Sequence, residues 1–404
     1  MLAAAIVSLA FSNQEPTCAQ IKEVHSDKDP DGVSCCTNPD GKASMVDLIH
    51  KVRGNWSETN MFKTYLFDNY PVKCFVNKLE AKDTVIYLTG SGASSGGVFG
   101  LFNAYATVQP TSTNLCEILG DISLQSQAET YVALGLLSAP EVITGTPYYG
   151  ATRRAPGFNM TSLQGAIIST MNALEHDGFA IPNRYSVMGF SSGTSNWLAA
   201  AIQSTEIVAR SIAFGANIGS LPGTFNTTDL HPLISQYVNG GYTDEAHEKF
   251  LAMDFSHIHW RMYYGDNDQF FGTEAGGYQA LLAMGIPGLK SALEYTKDAL
   301  VSKLSCDPVP VKTSAESLTA ELEVELSTFE CSGAASFKTF VYLNSENWPG
   351  TDTGQFAGYP IRASHLPLYP APRKNSLQQD FDSGYHTISY LPAFINDYIE
   401  YSTS

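Results

Sequence analysis

Positive charge is scarce in this chain. Lysine and arginine total 23 of 404 residues against 40 aspartates and glutamates, a net charge of −17. That balance argues against nucleic acid and anionic membrane as partners, because both are held chiefly through Lys and Arg. It favours solubility and leaves a neutral ligand open. Long apolar runs are lacking too: beyond the opening residues, nothing approaches the ~20 apolar residues of a membrane-spanning helix. The seven cysteines form no C-x-x-C and the nine histidines no H-x-x-x-H, so a zinc site of ordinary spacing is not expected. His257 and His259 stand two apart at a strand start, but no third ligand goes with them. Internal repeats and long low-complexity tracts are absent.

What the chain does contain points first to an oxidising compartment. The opening run Met1–Phe11 is apolar but short, and it resembles a signal-peptide core without the basic flank. Cleavage after Ala19 removes Cys18 and leaves six cysteines, an even number as a disulfide-bonded secreted protein carries. Cys306 and Cys331 bracket a polar segment that a bond between them would close as a loop. Asn55, Asn159 and Asn226 each open an N-x-[ST] sequon. Residues 1–19 are therefore expected to be a leader, 20–60 an irregular polar arm, and 61–404 one large domain.

An apolar fraction of 44% supports a full core, and its distribution alternates between strand and helix. Strands are expected near Phe62–Phe67 and Val72–Val76, at Thr84–Leu88, at Glu141–Thr144 as the fourth, and at Tyr185–Met188 as the fifth. Further strands are expected at Ile212–Phe214, Trp260–Tyr264 and, last, Phe337–Leu343. Leu163–Leu174 has helical apolar spacing. The polar segments 219–258 and 288–335 read as insertions, the first a lid and the second carrying a surface helix over Ser314–Glu325. The expected class is α/β, with a mostly parallel, doubly wound sheet.

The strand Tyr185–Met188 runs into Gly189-Phe-Ser-Ser-Gly193 and then an Ala-rich stretch. A G-x-S-x-G between strand and helix presents its serine, Ser191, on a sharp turn that only small flanking residues allow. A second copy, Gly92-Ala-Ser-Ser-Gly96, follows the Thr84–Leu88 strand. A serine hydroxyl is inert at neutral pH without a base, and the base is usually a histidine held by a carboxylate. His386 suits that role. It precedes a closing segment with apolar positions at Ile388, Leu391, Phe394, Ile395, Tyr398 and Ile399, between the last strand and the last helix. For the acid, Tyr263-Tyr-Gly-Asp-Asn-Asp268 reads as strand, glycine, carboxylate. Asp268 has the favoured G-x-x-D spacing, with Asp266 as the alternative.

Ser191, Asp268 and His386 occur in the order Ser…Asp…His. With the elbow motif and the Gly-rich Leu88–Ser95 loop, they make the chain resemble the α/β-hydrolase superfamily from about Val85 to Ile399. The resemblance resolves the duplicate motif. In that fold the nucleophile follows the fifth strand, and the loop after the third supplies an oxyanion-hole N–H. Ser191 then falls on the elbow and Ser94 in the oxyanion loop. The backbone N–H groups of Ser192 and Ser91 become the expected oxyanion donors. The Thr89–Ser95 loop is similar to the His-Gly-Gly-Pro-Gly-type loop of proline-iminopeptidase-like peptidases and related lipases, with Thr89 in place of the leading His. The implied activity is hydrolysis of a carboxylic ester through an acyl-enzyme. A prolyl-peptidase activity and a catalytically inactive binding module are the alternatives. No cofactor or metal is required, and the expected partner is a small ester or short peptide.

Overall fold

One ten-stranded sheet organises the molecule, in the order β1-β2-β4-β3-β5-β6-β7-β10-β9-β8. The computed structural model describes residues 60–67, 70–88, 113–118, 160–190, 193–217, 219–221, 223–224, 232–234, 244–317, 323–343, 355–356 and 359–360. The strands are β1 (Asn60–Phe67), β2 (Tyr70–Asn77), β3 (Lys82–Leu88), β4 (Thr113–Ile118), β5 (Ala180–Phe190), β6 (Ser211–Asn217), β7 (His259–Gly265), β8 (Lys312–Ser317), β9 (Glu323–Phe329) and β10 (Ser336–Leu343). The central run β4-β3-β5-β6-β7-β10 is parallel throughout. Antiparallel pairs close both sides.

The parallel strands are the apolar ones because both their faces are covered. In β3, every residue from Asp83 to Leu88 is buried. One face, with Ile86, Leu88, Val187, Phe214, Ala216, Trp260 and Met262, joins the main core. The intervening residues Val85, Met188, Ala213 and Tyr263 point to the other face and are buried as well.

Helices follow from the connections. Helix α1 (Met160–His176) joins β4 to β5 and buries Leu163, Ala166, Ile167, Met171 and Leu174, a stripe of helical period. A π-helical turn, Gly193–Leu198, passes into α-helical Ala199–Ala201, and the two together are α2. With α3 (Thr205–Arg210), it links β5 to β6. Helix α4 (Asp244–Ala252) leads into β7, α5 (Gly276–Ala283) follows that strand, and α6 (Ala292–Lys303) precedes β8. Residues of α1, α2, α3, α4 and α6 all belong to the same core cluster, so these helices pack on one face of the sheet. The chain goes from β3 outward to β4, then returns past β3 to β5 and continues to β6 and β7. That reversal makes the sheet doubly wound, and it places a topological switch point between β3 and β5. The architecture is the one that the resemblance to α/β hydrolases implies.

Two sequence expectations are corrected. The fourth strand is Thr113–Ile118 rather than Glu141–Thr144, which lies outside the described residues. β4 escaped notice because polar groups and a covalent bond hold it, not an apolar run. The Asn114 carboxamide donates to Thr84 Oγ1 (3.1 Å) and the Phe179 carbonyl (2.8 Å), and accepts from the Asn77 N–H (2.9 Å). Cys116 is disulfide-bonded to Cys74 on the adjacent strand.

The expected surface helix over Ser314–Glu325 is instead parts of two strands, β8 and β9, that extend the sheet beyond β10. Helix-favouring Ala, Glu and Leu are overridden there by pairing with β10 and by the stacking of Phe329 on Phe337 (5.1 Å). A disulfide, Cys306–Cys331, ties the end of α6 to the end of β9 and closes the loop that those cysteines bracket. Residues 1–59 and the closing segment after Pro360 lie outside the described residues, and so do the expectations placed there. Among the described residues, no helix is long and apolar enough to cross a membrane.

Candidate active site

Parallel strands bring their C-terminal ends to one edge of the sheet, and β3, β5, β6 and β7 all end there. β3 and β5 finish in register, Leu88 opposite Gly189, so the segments leaving them start side by side at the switch point. Phe190 stands opposite Asn217 on β6, and Asn217 opposite Tyr263 on β7. β5 and β7 are therefore two inter-strand steps apart, about 10 Å.

The end of β5 and the start of α2 approach closely. A Cβ on Gly189 would lie 2.5 Å from the Gly193 carbonyl oxygen, 2.6 Å from its carbon and 2.7 Å from the Thr194 Cα. All three are backbone atoms and cannot swing aside, so only glycine fits at 189. Gly193 and Thr194, at the start of α2, thus pack directly against Gly189 near the end of β5. Ser191 and Ser192 are the two residues that connect Phe190 to Gly193. They, Ser91 with the Thr89–Ser95 loop, and His386 lie outside the described residues.

Asp268 lies among the described residues. It sits on the loop after β7 and is completely buried. Its Oδ1 accepts hydrogen bonds from the backbone N–H groups of Phe270 (2.8 Å) and Phe271 (2.6 Å). Its carbonyl accepts from the Gly272 N–H (2.9 Å). Such local side-chain-to-backbone bonds set the carboxyl group in one orientation. Asp266 differs. It is half-buried, and its carboxylate accepts from the N–H of the next residue, Asn267 (2.9 Å). Its backbone N–H donates to the Tyr342 carbonyl (3.1 Å), stitching the loop to β10.

Gly272 lets this loop close on itself, since a Cβ there would lie 2.4 Å from the Asp268 nitrogen and 2.9 Å from the Asp266 oxygen. Gly272→Ala is therefore expected to destabilise the protein by about 1–3 kcal/mol through overpacking. A lowered urea midpoint would show this; an unchanged midpoint would mean the loop yields freely.

The two histidines of the pair meet different partners. The His257 imidazole lies 3.3 Å from the Val208 carbonyl and His259 Nδ1 lies 3.0 Å from Ser336 Oγ. Among the described residues, no group of three or more His, Cys, Asp or Glu is placed to hold an ion. Burial pushes the His259 imidazole down from 6.5 to about 4, and the charges of Arg261 and His257 add to the effect. The unfolded chain then binds this proton more readily than the folded one. Stability from this group is present above pH 6.5 and is lost as pH falls towards 4. The melting temperature should decline less steeply over that window in His259→Gln than in the wild type. Equal slopes would remove His259 from the acid response.

Sequence reading missed Thr194, whose hydroxyl lies against both β5 and β6. Its adjacency to the motif was the only signal, and a threonine at a helix start reads as an ordinary helix residue. Trp197, Leu198 and Ala199–Ala201 of α2 are all buried.

Solved structures similar to this chain include an acetyl xylan esterase from Aspergillus awamori, at 13% identity and a TM-score of 0.42 over 69% of this chain and 92% of that one. A puromycin-hydrolyzing peptidase from Mycobacterium tuberculosis matches at 16% identity and a TM-score of 0.35, over 62% of this chain and 35% of the peptidase. The esterase Est22 matches at 14% identity and a TM-score of 0.34, over 73% and 91%. No protein-family model matches the chain, and no curated protein does.

Proposed function

We propose that the protein is a serine hydrolase of the α/β-hydrolase superfamily that cleaves a carboxylic ester, with Ser191 as nucleophile. The observation that carries this reading is the approach of Gly193 to Gly189 at the end of β5, which leaves room for no Cβ at 189. A turn that tight, between the fifth strand and a helix, is what a nucleophile elbow needs. It occurs at the copy of the motif that the strand count selects, beside the end of β3.

His386 takes the Ser191 proton as Oγ attacks the ester carbonyl carbon, and the carbonyl π pair moves onto oxygen. The N–H groups of Ser192 and Ser91 hold that oxyanion, each worth about 3 kcal/mol in the transition state. Collapse expels the alkoxide, which leaves as the alcohol with the proton from His386. Water, giving a proton to the same imidazole, attacks the acyl carbon, and the carboxylic acid departs as Oγ recovers its proton. Asp268 orients His386 and stabilises its imidazolium throughout. Its complete burial and the two backbone N–H groups on Oδ1 favour it over half-buried Asp266. The disulfides Cys74–Cys116 and Cys306–Cys331 favour an oxidising, secretory setting.

A fluorophosphonate probe tests the proposal, because it phosphonylates only an activated serine. The wild type should be labelled and Ser191→Ala should not. Folded wild-type protein that stays unlabelled would instead be an inactive binding module. Among labelled protein, turnover of short acyl esters over aminoacyl-proline amides separates ester from peptide hydrolysis.

A further inference from the structure

We propose that Thr194 is a positioning residue for the elbow: its buried hydroxyl fastens both sides of the turn that carries Ser191 to the neighbouring strand β6. The inference rests on the serine-hydrolase reading and adds a residue to it.

Three backbone groups converge on this hydroxyl. Oγ1 donates towards the Gly189 carbonyl, two residues before Ser191, and lies 3.0 Å from the Asn217 carbonyl at the end of β6. The Asn217 N–H donates back to Oγ1 over 3.3 Å. Thr194 and Asn217 are both fully buried. A hydroxyl has one proton and two lone pairs. Here the proton is offered between two carbonyls and a lone pair takes the N–H, so its hydrogen-bonding capacity is directed at the backbone.

The placement matters because Thr194 lies in the first turn of α2, three residues after Ser191. Its bond to Gly189 therefore spans the elbow, fixing the exit of the strand to the entry of the helix. Its bonds to Asn217 hold that assembly to β6. Asn217 in turn is in register with Tyr263 on β7, five residues before Asp268. The hydroxyl is thus the first link in a short backbone path from the nucleophile turn to the acid loop. A displacement of about 1 Å at a reacting atom can cost ~10²-fold in rate.

The test compares Thr194→Val, which keeps the shape and removes the hydroxyl, with Thr194→Ser, which keeps the hydroxyl. Active sites are counted with a fluorophosphonate, and kcat on a short acyl ester is expressed per titrated site. A partly folded variant is then not mistaken for a slow one. Thr194→Val is expected to lower kcat per site by about 10- to 100-fold with KM little changed, while Thr194→Ser restores most of the rate. Wild-type kcat per site in Thr194→Val would overturn the proposal and leave the hydrolase reading standing. So would a loss in Thr194→Ser as deep as in valine, which would make the methyl group, and hence packing, the cause. If valine yields no titratable sites, Thr194→Ser decides alone: a rate near the wild type supports the hydroxyl, and a deep loss overturns it. Failure to label wild-type protein would sink the hydrolase reading, and this inference with it.

Discussion

Ser191→Ala is expected to lower kcat on a short acyl ester by about 10⁶-fold, because the acyl-enzyme route needs the oxygen that the proposed mechanism assigns to this serine. Removing one hydroxyl from a turn set by Gly189 and Gly193 leaves the backbone contacts intact. The melting temperature should therefore stay close to the wild type while turnover disappears. Residual catalysis of about 10³–10⁴ over the uncatalysed reaction can persist, since the oxyanion donors and binding groups remain. Initial-rate kinetics with a sensitive chromogenic ester, on protein freed of contaminating esterases, gives the answer. Retention of a tenth or more of the activity would move the nucleophile elsewhere, with Ser94 in the second motif copy next to be replaced.

The second large effect is at Asp268. Asp268→Asn is expected to reduce kcat by about 10⁴-fold, because an amide neither stabilises the imidazolium nor holds the histidine in the tautomer that accepts the serine proton. The substitution is well suited to this site. The Asn side-chain oxygen can still accept from the N–H groups of Phe270 and Phe271, so the loop keeps the bonds that shape it. A fall in rate without a fall in stability then reports on charge rather than fold. Asp266→Asn should change kcat by only a few-fold, since that carboxylate is half-buried and is met by the N–H of its own neighbour. A deep loss in Asp266→Asn with a mild one in Asp268→Asn would exchange the two roles.

Local patterning made part of this protein readable from its residues. The continuous apolar run at β3 and the helical stripe of α1 identify themselves, because burial on both faces or along one stripe demands those residues in that spacing. The close approach at the end of β5 was legible for the same reason: Gly189 leaves room where a Cβ would meet backbone atoms. What stayed hidden was set by partners distant in sequence. β4 depends on the polar contacts of Asn114 and on the bond from Cys116 to Cys74, none of which appears in the six residues themselves. β8 and β9 carry helix-favouring residues, and only the pairing of β9 with β10 makes them strands.

The site divides along the same line. Sequence alone determined the types and order of the residues in the proposed triad, because that reading needs a nucleophile, an acid and a base in one chain. Tertiary structure decided which of two neighbouring carboxylates is buried. It also decided which strand lies beside the elbow, and that the Thr194 hydroxyl should meet the backbones of β5 and β6. Burial and cross-strand hydrogen bonds depend on what the chain brings up from far away, and no short window of residues carries that information.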